Sequence, residues 1–399
     1  MLISPTMGSG LEARVQRVFM AQGVFAERGL FPSASPSHRM LATDIDVLTS
    51  EYVSGFHLTR RHAECKGGRT PLIDRILWLN GVRSLLGADG SYLVLSEFDK
   101  DASDFALSLE IQLINFSQLE AWESSIGIPH DVWPCRSDFA TYDSALTAWS
   151  RLSGTLESDS YWRFLRGVIS FIEVDGWLSF RYGYLNRLLR LMDGLSTQYD
   201  RMRSNKDQAL CARYCFSALL VRLSQYLLSI CSDVTRLPAT DIKGYLTQHF
   251  TYGDQDPERT SALIKSIVDW VKLGLEKKSI PLPTEVDPNR LFEAPAYTPD
   301  LLELIDRLLQ QSDAARYLTI AVEAMQFSTP ASVSRFAKLK AAAKAGSTLA
   351  ALVKGFSIRA FSTPSELAEP PDEGLKAAYR SIPPEPTRGR KSGKGQLSF

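Results

Sequence analysis

The chain has no excess charge of either sign: 45 lysines and arginines balance 45 aspartates and glutamates. Any affinity for a polyanion must therefore come from local clusters of cations rather than from a global field. Long apolar runs are also missing. The nearest approach to the ~20 residues that a membrane span requires is the stretch from Cys215 to Cys231, which Arg222 and Gln225 interrupt, so it reads as a buried amphipathic helix. The N-terminus lacks the basic-then-apolar order of a secretory signal. Cysteine is scarce and unpatterned: Cys65, Cys135, Cys211, Cys215 and Cys231 are odd in number and show no CxxC spacing. That argues against a disulfide framework or a structural zinc and fits a reducing compartment; Cys211 and Cys215 read as core. His130 and His249 have no partner at metal-ligand spacing, and there is no internal repeat. These absences predict a cytoplasmic chain without a membrane segment. Its 399 residues suffice for two or three domains whose cores need no staples.

What is present changes character along the chain. Up to about residue 125 helix and strand signals alternate, whereas beyond residue 137 nearly everything has helical periodicity. "GLEARVQRVFMAQG" sets Leu11, Val15, Val18 and Gln22 on one stripe and stops at Gly23, as a surface helix does. Strand-like stretches follow near residues 24–30, 44–49 and 57–66. "TPLIDRILWLNGVRSLLGADG" predicts a helix with Thr70 as N-cap and Pro71 at the first helical position. Its buried stripe is Leu72, Ile76, Leu79, Val82 and Leu86, and Gly87 is the stop. A short apolar strand at 91–97, a helix from about Ala102 and the strand "IQLIN" at 111–115 complete a small α/β domain over residues 8–126. Residues 127–138 read as a connector.

Aromatic-rich helices are expected over 137–280, with the aromatics at core spacing rather than as a base-stacking surface. Five prolines between Pro281 and Pro299 mark another joint. Helices over 298–356, the first capped at Thr298 and Pro299, close the folded part. Residues 357–399, proline-rich and ending in "RGRKSGKGQLSF", are expected to be disordered. The expected fold class is thus an α/β N-terminal domain followed by a mostly α-helical region and a tail.

The chemistry concentrates in "ATDIDVL" at 42–48 and "AECKGG" at 63–68. Residues two apart on a strand share a face, so Asp44 and Asp46 point together, and so do Glu64 and Lys66, while Ile45, Val47 and Cys65 go to the core. If the two strands are neighbours, three carboxylates and one ammonium converge. Gathering like charges is costly unless a cation neutralises them, and hard oxygen donors select Mg²⁺ or Mn²⁺ over zinc. Such an ion could bind a phosphate oxygen, activate a water and stabilise a leaving oxygen, with Lys66 orienting the attacking water.

Asp46, a gap of 17 residues, then Glu64-Cys65-Lys66 resembles the signature of the PD-(D/E)xK nucleases, among them archaeal-type Holliday-junction resolvases and many restriction endonucleases. The order helix, three strands, helix, strand is similar to that family's core, and the likeness extends over roughly residues 8–120. It implies a restriction-endonuclease-like fold in which Asp46, Glu64 and the Cys65 backbone carbonyl ligate Mg²⁺ or Mn²⁺ and Lys66 is the catalytic lysine. The family's acidic residue on the first helix maps to Glu12, with Glu27 as a competitor, and Gln16 one turn later becomes an accessory group. The proline of the name is replaced here, since Thr43 and Asp44 precede Ile45, and Asp44 is left without an assigned role.

The competing reading is a row of solvated acids on an edge strand, with Lys66 as a gatekeeper charge. Arg60, Arg61 and Arg69 are candidate nucleic-acid contacts, within a local excess of cations that includes His62, Arg75 and Arg83; His62 reads as one more exposed polar residue. The resulting expectation is a Mg²⁺-dependent endonuclease acting on DNA, with RNA left open, in restriction and phage defence or in recombination and repair. A homodimer or a protein partner held by the helical region is expected. The alternative is a non-catalytic nuclease-fold module whose helices mediate protein–protein interaction.

Overall fold

The computed structural model describes residues 7–32, 43–67, 71–128, 160–175, 181–277, 293–327 and 333–371. Its first part runs α1 (Met7–Ala21), β1 (Phe25–Pro32), β2 (Ile45–Val53), β3 (His57–Cys65), α2 (Leu72–Leu86), β4 (Gly90–Leu95), α3 (Lys100–Ser108), β5 (Ile111–Asn115) and α4 (Phe116–Ile126). The second part is helical apart from a two-residue strand. It comprises α5 (Ser160–Glu173), β6 (Val174–Asp175), α6 (Arg181–Met202), α7 (Lys206–Val234), α8 (Ala239–Tyr252), α9 (Pro257–Lys277), α10 (Thr298–Gln310), α11 (Ser312–Ala315), α12 (Leu318–Phe327), α13 (Ala337–Ala360) and α14 (Ser365–Ala368). The fold is therefore mixed α/β at the N-terminus and mostly helical thereafter.

The strands form one sheet in the order β5-β4-β3-β2-β1-β6. β1, β2 and β3 are antiparallel neighbours, whereas β4 and β5 add in parallel. Both faces are covered. α1 packs against β1, β2 and β3, in a core that includes Val15, Val18, Val47, Ala63, Cys65 and Val94. On the opposite face Ile76 and Leu79 of α2 and Ala102 and Ala106 of α3 meet Leu93, Leu95, Ile111 and Leu113. Where the sheet is covered twice, as at β2, simple apolar–polar alternation is not needed, and β2 opens with five buried residues in succession.

Strict alternation fails at one point. Ile45 packs not with Val47 but with Leu30, Leu48, Val82 and Leu86. Arg28 pairs with Val47 and Leu30 with Ile45, while the intervening Gly29 has φ 64°. A glycine in that conformation kinks β1 and re-aims the side chains beyond it.

Several element ends differ from those expected. Pro71 itself occupies the N-cap of α2 without a side-chain cap, and Thr70 lies outside the described residues. Tyr297, not Thr298, is the N-cap of α10. Helix α4 went unread, although Asn115 and Gln118 form a capping box and Gly127 ends it. The "YWRFLRGVISFIEVDGWLSFRYGYLNRLLRLM" stretch holds a break: after α5, Val174 and Asp175 pair in parallel with Phe31 and Pro32 of β1.

That pairing joins the helical region to the sheet, and one hydrophobic cluster runs from Leu11 to Ala368 through both. At the centre stands α7, buried at every position from Tyr214 to Cys231. By length and composition it could cross a membrane, but 94% of its most apolar window is buried within the protein. The expected tail is partly folded: residues 357–360 belong to α13, and Leu367 and Ala368 of α14 are buried. Cys65, Cys211, Cys215 and Cys231 are buried and outside any disulfide, as core cysteines should be; Cys135 lies outside the described residues.

Close helix packing carries one testable cost. A Cβ on Gly346 of α13 would stand 2.7 Å from the Tyr317 carbonyl oxygen and 2.8 Å from the Ala321 Cβ. Gly346→Ala gains about 1 kcal/mol of helix propensity but overpacks the crossing at a cost of about 1–3 kcal/mol. A net loss follows, because backbone on the far side cannot retreat. The variant is expected to melt a few degrees below the parent, and an equal or higher melting temperature would contradict the packing.

Candidate active site

The antiparallel pairing of β2 and β3 sets Val47 opposite Ala63, which carries Asp46 to the end of β3. There Asp46 Oδ2 accepts the Cys65 N–H at 2.6 Å. The Lys66 N–H in turn donates to the Val94 carbonyl at 2.8 Å, holding the residue just past β3 to β4. Lys66 Nζ then lies 2.5 Å from Glu64 Oε1 and 3.8 Å from Asp46 Oδ2. Asp46, Glu64 and Lys66 are thus gathered into one cluster. It is not a solvated row, for Asp46 is only 7% exposed and Glu64 1%.

From α2, Arg75 pairs with the same Glu64 oxygen and lays its guanidinium 3.9 Å from the centre of the Trp78 ring. The second carboxylate oxygen of Glu64 is buried without a hydrogen-bond partner, as are both ring nitrogens of His62 on the same strand. His62, expected at the surface, is fully buried, because α2 and α3 roof this face.

Burial governs the electrostatics. It raises the Asp46 carboxyl above its ordinary range, against the pull of the Cys65 N–H and Lys66. Glu12 on α1 is raised from 4.5 to about 7, first by burial and then by the Asp46 charge. His62 is depressed from 6.5 to about 4 by burial, helped by Arg75 and Lys66. The Cys65 thiol is pushed up by burial, which leaves its backbone carbonyl as the only useful donor of that residue.

A pH dependence follows. Between 4.5 and about 7 the folded protein holds a proton on Glu12 that the unfolded chain has released, so this group costs stability as pH rises. His62 acts in the opposite sense between about 4 and 6.5, where only the unfolded chain is protonated. Removing the first leaves the second, so the stability of metal-free Glu12→Gln should rise more steeply with pH than the parent's across that shared window. Denaturant melts at several pH values test this, and parallel profiles would count against the burial of Glu12 beside Asp46.

The remaining candidates fall differently. Glu27 is committed elsewhere: Arg222 Nη1 and Gln225 Nε2 of α7 both donate to its Oε2 at 2.7 Å. Of the two candidate acids, Glu12 is therefore the one within the field of Asp46 and Lys66. Gln16 is buried and donates to the Ala26 carbonyl at 2.7 Å, leaving its Oε1 without a partner. Asp44 precedes β2, is exposed and lies beside Thr43 Oγ1. Its charge nonetheless raises Glu12 and Asp46. Arg60 is buried and donates from Nη1 to the Leu86 carbonyl at 3.2 Å. Arg61 is half-exposed and lines a shallow pocket with Tyr92, Glu110 and Gln112. Arg69 lies outside the described residues.

No family model, curated protein or solved structure matches this chain. Among the described residues no set of three or more His, Cys, Asp or Glu side chains is gathered to hold a metal. Two carboxylates, Asp46 and Glu64, share one lysine. That number suits magnesium, which keeps several waters and is held through one or two carboxylates plus substrate phosphate. The donor set fits in character too: the carboxylate oxygens are hard donors, and one of them, on Glu64, is buried and unpartnered.

In the sequence Arg75 is one cation among several near the motif. Its spacing of three from Trp78 on a helix was a usable signal, since residues three apart share a helix face. The burial of His62 had no local signal.

Proposed function

We propose that this chain is a Mg²⁺- or Mn²⁺-dependent endonuclease that hydrolyses DNA phosphodiester bonds through a PD-(D/E)xK-type site. The observation that carries the reading is the convergence of Asp46, Glu64 and Lys66, with Lys66 Nζ 2.5 Å and 3.8 Å from the two carboxylates. The finer fold assignment, a restriction-endonuclease-like core, belongs to the same proposal. It is supported by the antiparallel β1–β3 followed by parallel β4 and β5, with α1 on one face and α2 and α3 on the other.

Asp46, Glu64 and the Cys65 carbonyl would hold the ion, which supplies Lewis acidity toward the phosphate and a lowered pKa of bound water. Lys66 orients the attacking water and offsets the charge that develops on the phosphorus oxygens. Glu12, poised near neutrality, supplies a carboxyl able to accept a proton. The roofed sheet limits water around the acids, which strengthens these interactions. A defence role, or one in recombination or repair, is proposed by analogy with nuclease cores fused to unrelated helical regions.

Incubating the full chain with Mg²⁺ or Mn²⁺ and plasmid, linear, branched and RNA substrates tests the reading and separates DNA from RNA. Absence of cleavage on every substrate, together with no rise in melting temperature with either metal, would leave the second reading. That reading, a non-catalytic module that recruits a protein, is favoured by α9 alone. None of its described side chains is buried, and Leu263, Ile267, Trp270 and Val271 are exposed, Trp270 by 84%.

A further inference from the structure

Two cations meet one oxygen of Glu64, and only one of them is tied to the β2–β3 pair. Lys66 touches both Glu64 and Asp46. Arg75 comes from α2 and forms its one ion pair, among the described residues, with Glu64 Oε1. Its second contact is the Trp78 ring, which persists when an ion pair breaks. The other oxygen of Glu64 is buried and unpartnered. A divalent ion on this carboxylate would bring three cations within a few ångströms in a poorly screened site, where repulsion is strong. Lys66 retains Asp46 as a second partner in direct contact, whereas Arg75 retains the Trp78 face and the longer-range attraction of Asp46 and Asp44 but no second ion pair.

We propose that Arg75 is an exchangeable counter-charge and a phosphate ligand. It neutralises Glu64 in the metal-free protein, leaves that oxygen when a divalent ion binds, and then presents its guanidinium, still stacked on Trp78, to a substrate phosphate. A guanidinium suits both partners, because its planar fork matches carboxylate and phosphate alike and its face stacks on indole. The arriving phosphate supplies the negative charge that Glu64 has ceded. The inference rests on the nuclease reading, but it assigns to Arg75 a role distinct from that of Lys66.

Calorimetric titration of the full chain with Mn²⁺, without nucleic acid, tests the exchange in the parent and in Arg75→Gln. Arg75→Gln is expected to bind Mn²⁺ about tenfold more tightly, the scale on which neighbours of a metal ligand alter affinity, and to need more DNA for half-maximal cleavage. In the parent, tryptophan emission should change along a parallel titration with Mg²⁺, which unlike paramagnetic Mn²⁺ does not itself quench indole, and the change should be missing from Trp78→Phe. This readout needs no arginine variant to fold, and it separates movement of Arg75 from simple removal of a repelling charge. If the parent binds Mn²⁺ yet Arg75→Gln binds it no more tightly, or the emission change survives in Trp78→Phe, the exchange is wrong and the nuclease site stands. If the parent binds no Mn²⁺, both readings fall.

Discussion

Asp46→Asn protein is expected to retain its fold and lose cleavage by about three orders of magnitude or more, on the scale set by removing a group that stabilises transition-state charge or holds the catalytic metal. Asparagine is the informative choice. Asp46 accepts the buried Cys65 N–H at 2.6 Å, and alanine would orphan that donor at a cost of about 1–3 kcal/mol. Asparagine keeps an acceptor oxygen and removes only the charge. That charge is already penalised by burial, so the amide should leave melting temperature unchanged or slightly raised without metal. Lys66→Ala is expected to lose activity on a similar scale while leaving Glu64 paired with Arg75. Single-turnover rates on a cleavable DNA, with melting curves beside them, decide the matter. Cleavage by Asp46→Asn within tenfold of the parent would remove Asp46 from the mechanism.

The largest effect on stability is expected at the junction of β1 and α7. Arg222 Nη1 donates to Glu27 Oε2, its Nη2 donates to the Ile172 carbonyl at 2.9 Å, and Gln225 bonds both partners. All three side chains are buried. Glu27→Leu leaves a guanidinium without its carboxylate in the interior, which costs about 3–5 kcal/mol; Arg222→Met should cost a similar amount by stranding the carboxylate. The double variant should recover most of that loss, because replacing a whole buried ion pair by apolar groups is often near neutral. Denaturant unfolding of the two single variants and the double one provides the cycle. Losses below about 1 kcal/mol, as for a surface pair, would contradict the burial described here.

The same network shows where the sequence was legible. Arg222 and Gln225 stood out as interruptions of an apolar run, and the run was read correctly as a buried helix. Their partner on a strand nearly two hundred residues earlier was not readable, because nothing local distinguishes a glutamate that faces an arginine from one that faces water. Glu27 was for that reason a competitor for the role of helix acid. Most elements of the sheet follow from local signals, apolar spacing and turn residues: Leu11, Val15 and Val18 do face the core, and Ile76, Leu79, Val82 and Leu86 do line α2, whereas Gln22 and Leu72 on the same two stripes are only half-buried. Parity also grouped Asp44 and Asp46 with Glu64 and Lys66, of which Asp44 lies exposed ahead of β2. It failed at Ile45, where Gly29 breaks the alternation of the partner strand.

By itself, then, the sequence determined most of the strand and helix elements and, once two strands are neighbours, the grouping of Asp46, Glu64 and Lys66, since side-chain direction follows position along a regular strand. The tertiary structure alone decided that these acids are roofed rather than solvated, that Glu12 shares their field, that His62 is neutral and buried, and that Arg75 competes for Glu64. Each of those depends on which helix lies over which face. Burial and Coulomb energy are set by groups distant in sequence, and no local pattern encodes their arrival.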